Sequence, residues 1–240
     1  MRVAAIQMNS GEDLDANVGK ALALVDQADA ELIVLPEVFA HVTRMDDGAI
    51  LRRMQEKARD RGVWLCGSLL FDGTNTAFLL RPDGEIEARY RKIHLFDAPG
   101  LGNESDYMKA GTDVVTARID PFRVGLAICY DLRFPELFRT QAADLYLVPS
   151  AFSARTGRSH WEVLVRARAI ENLAYLVAPN QEGTHPNGTT TWGHSMIVDP
   201  WGETLAEAQG EGVITAEITS ARVAQARAAL PALKHKRLIP

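Results

Sequence analysis

Short β-branched runs alternate along this chain with stretches whose apolar residues recur at helical spacing, a rhythm that points to layered α/β packing. Val3 to Met8 reads as a buried strand. Asp13 to Ala30 reads as a helix with Leu14, Val18, Ala21, Leu22 and Val25 at helical spacing, and Glu31 to Leu35 as a second strand ending at Pro36. A helix over Ile50 to Arg61, closed by Gly62 as its C-cap, leads into a third strand, Val63 to Leu70. Asn75 to Leu80 and Ile86 to Lys92 then read as antiparallel strands around Arg81-Pro82-Asp83-Gly84, since proline presets one turn angle and glycine relaxes another. Val114 to Ile119 and Phe122 to Cys129 repeat that pattern around Asp120-Pro121. The remainder predicts a helix from Arg133 to Ala143, a strand from Leu145 to Pro149, a helix from Ser159 to Leu173 and a strand from Ala174 to Ala178. It closes with a hairpin of Thr190 to Asp199 and Gly212 to Ile218 through Pro200-Trp201-Gly202. Parallel and antiparallel pieces with helices outside them fit a four-layer α-β-β-α sandwich, with a single mixed sheet as the alternative.

At 240 residues, and with about 100–200 residues per domain as the guide, this is one domain or at most two. No repeat, linker or low-complexity stretch divides it, so 1–240 reads as a single domain. A net charge of -5 without long basic runs argues against a nucleic-acid partner, whose phosphates demand clustered Lys and Arg. The longest apolar runs, such as Leu32 to Leu35, fall far short of the ~20 residues that cross a bilayer, so no membrane span is expected. The residues after Met1 show no export signal. Cys66 and Cys129 are too few for a disulfide framework and point to two free thiols in the cytoplasm.

Three strand ends carry candidate chemistry. Cys129 follows the apolar run Val124 to Ile128 and precedes the expected helix start, where backbone N–H groups and the helix dipole favour thiolate; a buried structural cysteine is the alternative. Glu37 stands directly after Ile33-Val34-Leu35-Pro36, placed to accept a proton, or is a solvated loop charge. Lys92 ends another strand, as a catalytic ammonium or a salt-bridging surface lysine. Together they would complete an acyl-transfer site: Glu37 takes the thiol proton, Lys92 stabilises the oxyanion and Cys129 attacks. Cys66, in Trp64-Leu65-Cys66-Gly67, has no polar company and reads as structural.

Ile33-Val34-Leu35-Pro36-Glu37, Arg91-Lys92-Ile93-His94-Leu95-Phe96 and Ile128-Cys129-Tyr130-Asp131-Leu132-Arg133-Phe134-Pro135-Glu136 resemble, in that order, the three signature segments of the nitrilase superfamily of carbon–nitrogen hydrolases. The resemblance extends from Val3 to about Arg237 and takes in Asn75-Thr76-Ala77, Pro149-Ser150-Ala151-Phe152 and Gly193 to Gly202. It implies the α-β-β-α sandwich, a homodimer, and a second active-site glutamate, for which Glu104 in Gly102-Asn103-Glu104-Ser105 occupies the matching place in substrate positioning and proton relay. Within the superfamily, His160 to Glu171 and the Gly193 to Gly202 block look most like the Nit branch, which contains omega-amidase and deaminated glutathione amidase, with a lean toward the second. Two departures stand out. The connection from Phe39 to Asp47 is short, which would open the pocket, and the sequence stops at Pro240, where relatives continue into a tail used in dimer contacts.

The resemblance implies hydrolysis of a small linear carboxamide, one carrying a carboxylate, to carboxylate and ammonia through a Cys129 thioester. The carbonyl oxygen would lie between the Lys92 ammonium and the Tyr130 backbone N–H, the ammonium would depress the thiol pKa, and no cofactor or metal is required. Arg133 and Arg155 suit a substrate carboxylate, though Arg133 equally fits an ion pair with Glu136 or Asp131. Phe152, Thr156 and His160 are further substrate-binding candidates, His160 alternatively opening the next helix. N-carbamoyl amino acid amidohydrolase and nitrilase chemistry use the same residues, and a non-enzymatic dimeric scaffold is the rival from another class. A Cys129–His194 pair of papain type leaves Glu37 and Lys92 unexplained, and the six histidines show no metal-ligand spacing.

Overall fold

β1 (Arg2–Gln7) sends Val3 and Ala5 to one face and Ala4 and Ile6 to the other, and both faces are buried, so it reads as a continuous apolar run. The structure, a computed structural model, describes residues 1–41, 45–46, 48–100 and 102–238. After β1 come α1 (Leu14–Gln27), β2 (Leu32–Val34), α2 (Ala49–Arg61), β3 (Trp64–Phe71), β4 (Thr74–Leu80) and β5 (Ile86–Arg91). The short β6 (Asp97–Ala98) and β7 (Gly102–Asn103) lead to β8 (Thr116–Ile119), β9 (Phe122–Leu126), α3 (Pro135–Gln141), β10 (Leu145–Leu147), α4 (Ala154–Asn172) and β11 (Tyr175–Ala178). A hairpin of β12 (Glu182–Thr184) and β13 (Thr190–Trp192) precedes β14 (Met196–Val198), β15 (Thr204–Glu207), β16 (Gly212–Glu217) and α5 (Ser220–Ala229).

Two six-stranded sheets result, ordered β16-β1-β2-β3-β4-β5 and β15-β14-β11-β10-β9-β8. Val3, Ala5, Val34, Cys66, Leu79 and Tyr90 face Val124, Leu126, Leu147 and Val177 in one core between the sheets. The opposite face of the first sheet packs Ala4, Ile6, Ile33 and Phe78 against Val18, Val25, Met54 and Ala58 of α1 and α2. Phe138, Trp161 and Val165 of α3 and α4 cover the second sheet. This is the four-layer sandwich; a single mixed sheet is excluded. The Asp13 side chain caps α1 by accepting from Ala16 N–H, and α2 ends at Gly62 in the left-handed region, φ 61°. Among the described residues no helix is long and apolar enough to cross a membrane.

Three expectations are corrected. Pro200-Trp201-Gly202 joins β14 to β15, whereas β16 crosses to the first sheet and pairs antiparallel with β1, Arg2 opposite Glu217 and Gln7 opposite Gly212. The helix expected from Ser159 begins at Ala154, so Arg155 lies in its first turn rather than in a loop. The helix expected from Arg133 is split into a 3-10 turn over Cys129–Arg133 and α3, which starts at Pro135, a residue whose fixed φ suits a first helical position. The short connection after Phe39 falls partly outside the described residues; Asp46 within it accepts from the N–H groups of Gly48, Ile50 and Leu51 to start α2.

Candidate active site

Glu37 sits just past β2, whose parallel register with β3 carries Leu35 N–H onto Cys66 C=O. Its backbone N–H reaches across to Ser150 C=O beyond β10, joining the two sheets at this point. Lys92 ends β5, its N–H bonded to Asn75 C=O. Cys129 follows β9, donates its N–H to Pro149 C=O, and adopts φ 43°, a left-handed conformation that turns the chain sharply into the 3-10 segment. Glu104 comes from the 3-10 turn after β7.

The structure brings Glu37, Lys92 and Glu104 into one hydrogen-bonded chain and sets Cys129 on the same cavity. Lys92 Nζ donates to Glu37 Oε1 at 2.8 Å and to Glu104 Oε1 at 2.9 Å. Glu37 Oε1 also accepts from Asn75 Nδ2 at 2.8 Å, and its Oε2 from Ala151 N–H at 2.7 Å; Glu104 Oε2 accepts from Phe96 N–H at 2.8 Å. Glu37 and Lys92 are both buried, which removes the solvated-loop and surface-lysine alternatives. Burial by itself would lower the Lys92 pKa, but the two carboxylates outweigh it and hold the ammonium well above its ordinary value. Burial raises Glu104, with Lys92 opposing and Glu37 adding to the rise.

Cys129 reverses an expectation. Burial and the Glu37 charge push its thiol well above the ordinary cysteine value, and Lys92 offsets this only in part. Cys66 is also free, wholly buried between the sheets and pushed up to about 12 by burial, in keeping with a structural role.

These groups line a cavity of about 450 Å³. Val38, Leu70, Phe96 and Met108 form an apolar wall, Tyr130, Arg133, Phe152, Arg155 and Thr156 a second, and the turn between β12 and β13, with His185, Asn187 and Thr189, a third. His160 does not line it; exposed on α4, it places Nδ1 3.2 Å from Arg133 Nη1. Arg133 is not in the expected ion pair with Asp131 or Glu136: it bonds Thr156 Oγ1 at 3.3 Å, lies over the rings of Tyr130 and Phe152 and has no carboxylate partner among the described residues. His194 pairs with Glu207 at 2.6 Å and stacks on Trp192, away from Cys129. Among the described residues no cluster of His, Cys, Asp and Glu could hold a metal ion.

Sequence reasoning gave no role to Asn75, the Ala151 N–H or His185. Asn75 carried a signal, as a polar residue in the fully buried strand Thr74–Leu80 that must find a buried partner. The hairpin wall carried none.

The family model for carbon–nitrogen hydrolases matches residues 2–228. The chain is 39% identical to a deaminated glutathione amidase of Synechocystis sp., over 97% of each protein. Its fold is similar to the crystal structure of the C. elegans NitFhit protein, with a TM-score of 0.88 and 36% identity, covering 98% of this chain and 65% of that one. It also resembles an amidase from Nesterenkonia sp. AN1 whose active-site cysteine carries the acetamide moiety of fluoroacetamide, with a TM-score of 0.79 and 28% identity, over 95% and 94% of the two chains.

Proposed function

The chain belongs to the carbon–nitrogen hydrolase family, and on that premise we propose that it is an amidase in which Cys129 is acylated by a linear amide, Glu37 moves the protons and Lys92 holds the developing oxyanion. The observation that carries this reading is the buried chain Glu37–Lys92–Glu104 on the wall of a cavity that Cys129 shares. Lys92 uses two of its three N–H donors on the carboxylates, leaving one for a substrate oxygen.

In the proposed cycle the sulfur bonds to the amide carbon as its proton passes to Glu37, and the carbonyl π pair moves onto oxygen beside Lys92 and the Tyr130 N–H. Glu37 then gives the proton to the leaving nitrogen, the C–N bond breaks and a thioester remains. Water, deprotonated by Glu37, adds to the thioester, and the sulfur departs and regains a proton. Glu104 holds Lys92 in place and relays protons. No cofactor enters any step.

For substrate we propose deaminated glutathione, which the similarity to amidases of that name supports. Its scissile amide joins a 2-oxoglutaryl unit to the amine of cysteinylglycine, so the departing group is a dipeptide amine where the sequence reading had ammonia. A cavity of about 450 Å³ exceeds what a five-carbon acid amide fills, and Arg133, without a carboxylate partner of its own among the described residues, suits a substrate carboxylate, with Arg155 beside it. The test is side-by-side turnover of deaminated glutathione, followed as 2-oxoglutarate and cysteinylglycine, and of α-ketoglutaramate, followed as ammonia, with Cys129→Ala as the blank. Preference for the first is expected. Preference for the second makes the protein an omega-amidase, and turnover of neither moves the search to N-carbamoyl amino acids and nitriles.

We also propose a homodimer and a reducing, cytoplasmic setting. Val163 and Ile170 are exposed on α4, and Ile170 packs against the turn that exposes Trp201, an apolar surface suited to a second copy.

A further inference from the structure

Asp131 lies two residues beyond the nucleophile, is wholly buried, and takes no part in the cavity wall. Its carboxylate is nonetheless saturated. Oδ2 accepts from Ile128 N–H at 2.8 Å and from the Tyr90 hydroxyl at 2.8 Å. Oδ1 accepts from His94 N–H at 3.2 Å and stands 2.7 Å from His94 Nδ1, a ring nitrogen that donates to the carboxylate in the tautomer protonated there.

These partners come from two places. Ile128 belongs to the second-sheet turn that holds Cys129 at positive φ, whereas Tyr90 and His94 flank Lys92 by two residues on either side at the end of β5 in the first sheet. The His94 ring also lies flat on Phe134, at the far end of the same turn, with centroids 3.6 Å apart and planes 6° from parallel. One buried carboxylate thus ties the strand end that presents the ammonium to the turn that presents the sulfur.

We propose that Asp131, through Tyr90 and His94, is a positioning residue that sets the placement of Cys129 relative to Lys92 and Glu37 across the two sheets. The inference rests on the reading of Cys129 as nucleophile. It gives Asp131 no contact with substrate.

The test reads the sulfur directly. Iodoacetamide alkylation of Cys129 in the folded full-length chain, resolved from Cys66 by peptide mass spectrometry, is compared for wild type, Asp131→Asn, His94→Ala and His94→Asn. Asparagine at 131 keeps the shape but turns an N–H₂ toward one pair of donors; asparagine at 94 returns an N–H near the place of Nδ1–H. A misplaced reacting group costs up to about a hundredfold per ångström, so Asp131→Asn and His94→Ala are expected to slow alkylation roughly tenfold or more, with His94→Asn recovering most of the loss. The same ranking should appear in kcat for deaminated glutathione with KM little changed, since none of these side chains touches the cavity. Wild-type alkylation in both Asp131→Asn and His94→Ala would overturn the proposal, as would His94→Asn behaving like His94→Ala with unfolding midpoints equal. If Asp131→Asn does not fold, the two His94 variants decide alone. A Cys129→Ala chain that keeps turnover sinks the nucleophile and this inference with it; an inactive Cys129→Ala beside an unaffected Asp131→Asn sinks the positioning role only.

Discussion

Lys92 holds its ammonium 2.8 Å from Glu37 Oε1 where the two side chains are 1% and 4% exposed, so each charge depends on the other for the solvation it has lost. Removing the cation alone strands the carboxylates. Lys92→Met should abolish turnover and destabilise the fold by about 3–5 kcal/mol at neutral pH. Glu104, already raised by burial, would lose the cation that opposes the rise. A carboxyl whose folded pKa lies above its unfolded value loses stability as pH rises through the folded pKa. The deficit of Lys92→Met against wild type should therefore grow from mildly acidic to neutral pH, as urea unfolding at the two conditions would show.

Glu37→Gln separates two effects of one carboxylate. It removes the base, so turnover should fall by about 10²–10⁴-fold. It also removes a charge that pushes the Cys129 thiol up while leaving Lys92, which pulls it down. Ultraviolet thiolate absorbance should thus titrate at lower pH in the variant than in wild type. An unchanged titration would contradict the charge coupling between Glu37 and the sulfur.

Glu104→Gln should be milder. The amide oxygen can still accept from Lys92, but the amide nitrogen would face Phe96 N–H. A kcat loss of about 10–100-fold is expected, smaller than that for Glu37→Gln. Steady-state kinetics on both variants would settle the order.

Arg133 rests between the Tyr130 and Phe152 rings, 5.5 and 5.0 Å from their centroids. A charged hydrogen bond contributes about 1.5–3 kcal/mol, so Arg133→Gln should raise KM for deaminated glutathione by roughly 10–100-fold with kcat largely kept. Hydrolysis of an uncharged aliphatic amide should be unaffected. Equal losses on both substrates would remove Arg133 from carboxylate recognition.

The candidate site was legible where chemistry coincides with local pattern: Glu37 and Cys129 each follow an apolar strand run, Lys92 ends a strand of alternating pattern, and the residues around them carry the family resemblance. Asp131 was not, because its partners Tyr90 and His94 lie 41 and 37 positions away and its neighbourhood suggested a pairing with Arg133. The direction of the Cys129 shift was missed for the same reason: the turn favours thiolate, but burial between the sheets and Glu37 arriving from the other sheet push the thiol up. The start of α4 was hidden by the polar run Ala154 to Ser159 and by Gly157, a residue needed there because Trp192 packs against its backbone. β16 looked like half of a hairpin because the Pro200-Trp201-Gly202 turn precedes it and the strand Thr204–Glu207 between them was not expected, and pairing with β1 leaves no local mark.

That last pairing bears on how the protein is made. β1 leaves the ribosome well before β16, so a nascent chain displaying Glu37, Lys92, Glu104 and Cys129 still has one long flank of β1 without its partner. The strand that fills it arrives about two hundred positions later, a contact of the kind that slows folding. Until then the growing polypeptide holds every candidate reacting group and an open sheet edge that other chains could occupy. Translation stalled shortly before Gly212 should yield a product prone to self-association, and chaperone attention during synthesis would fall on that gap.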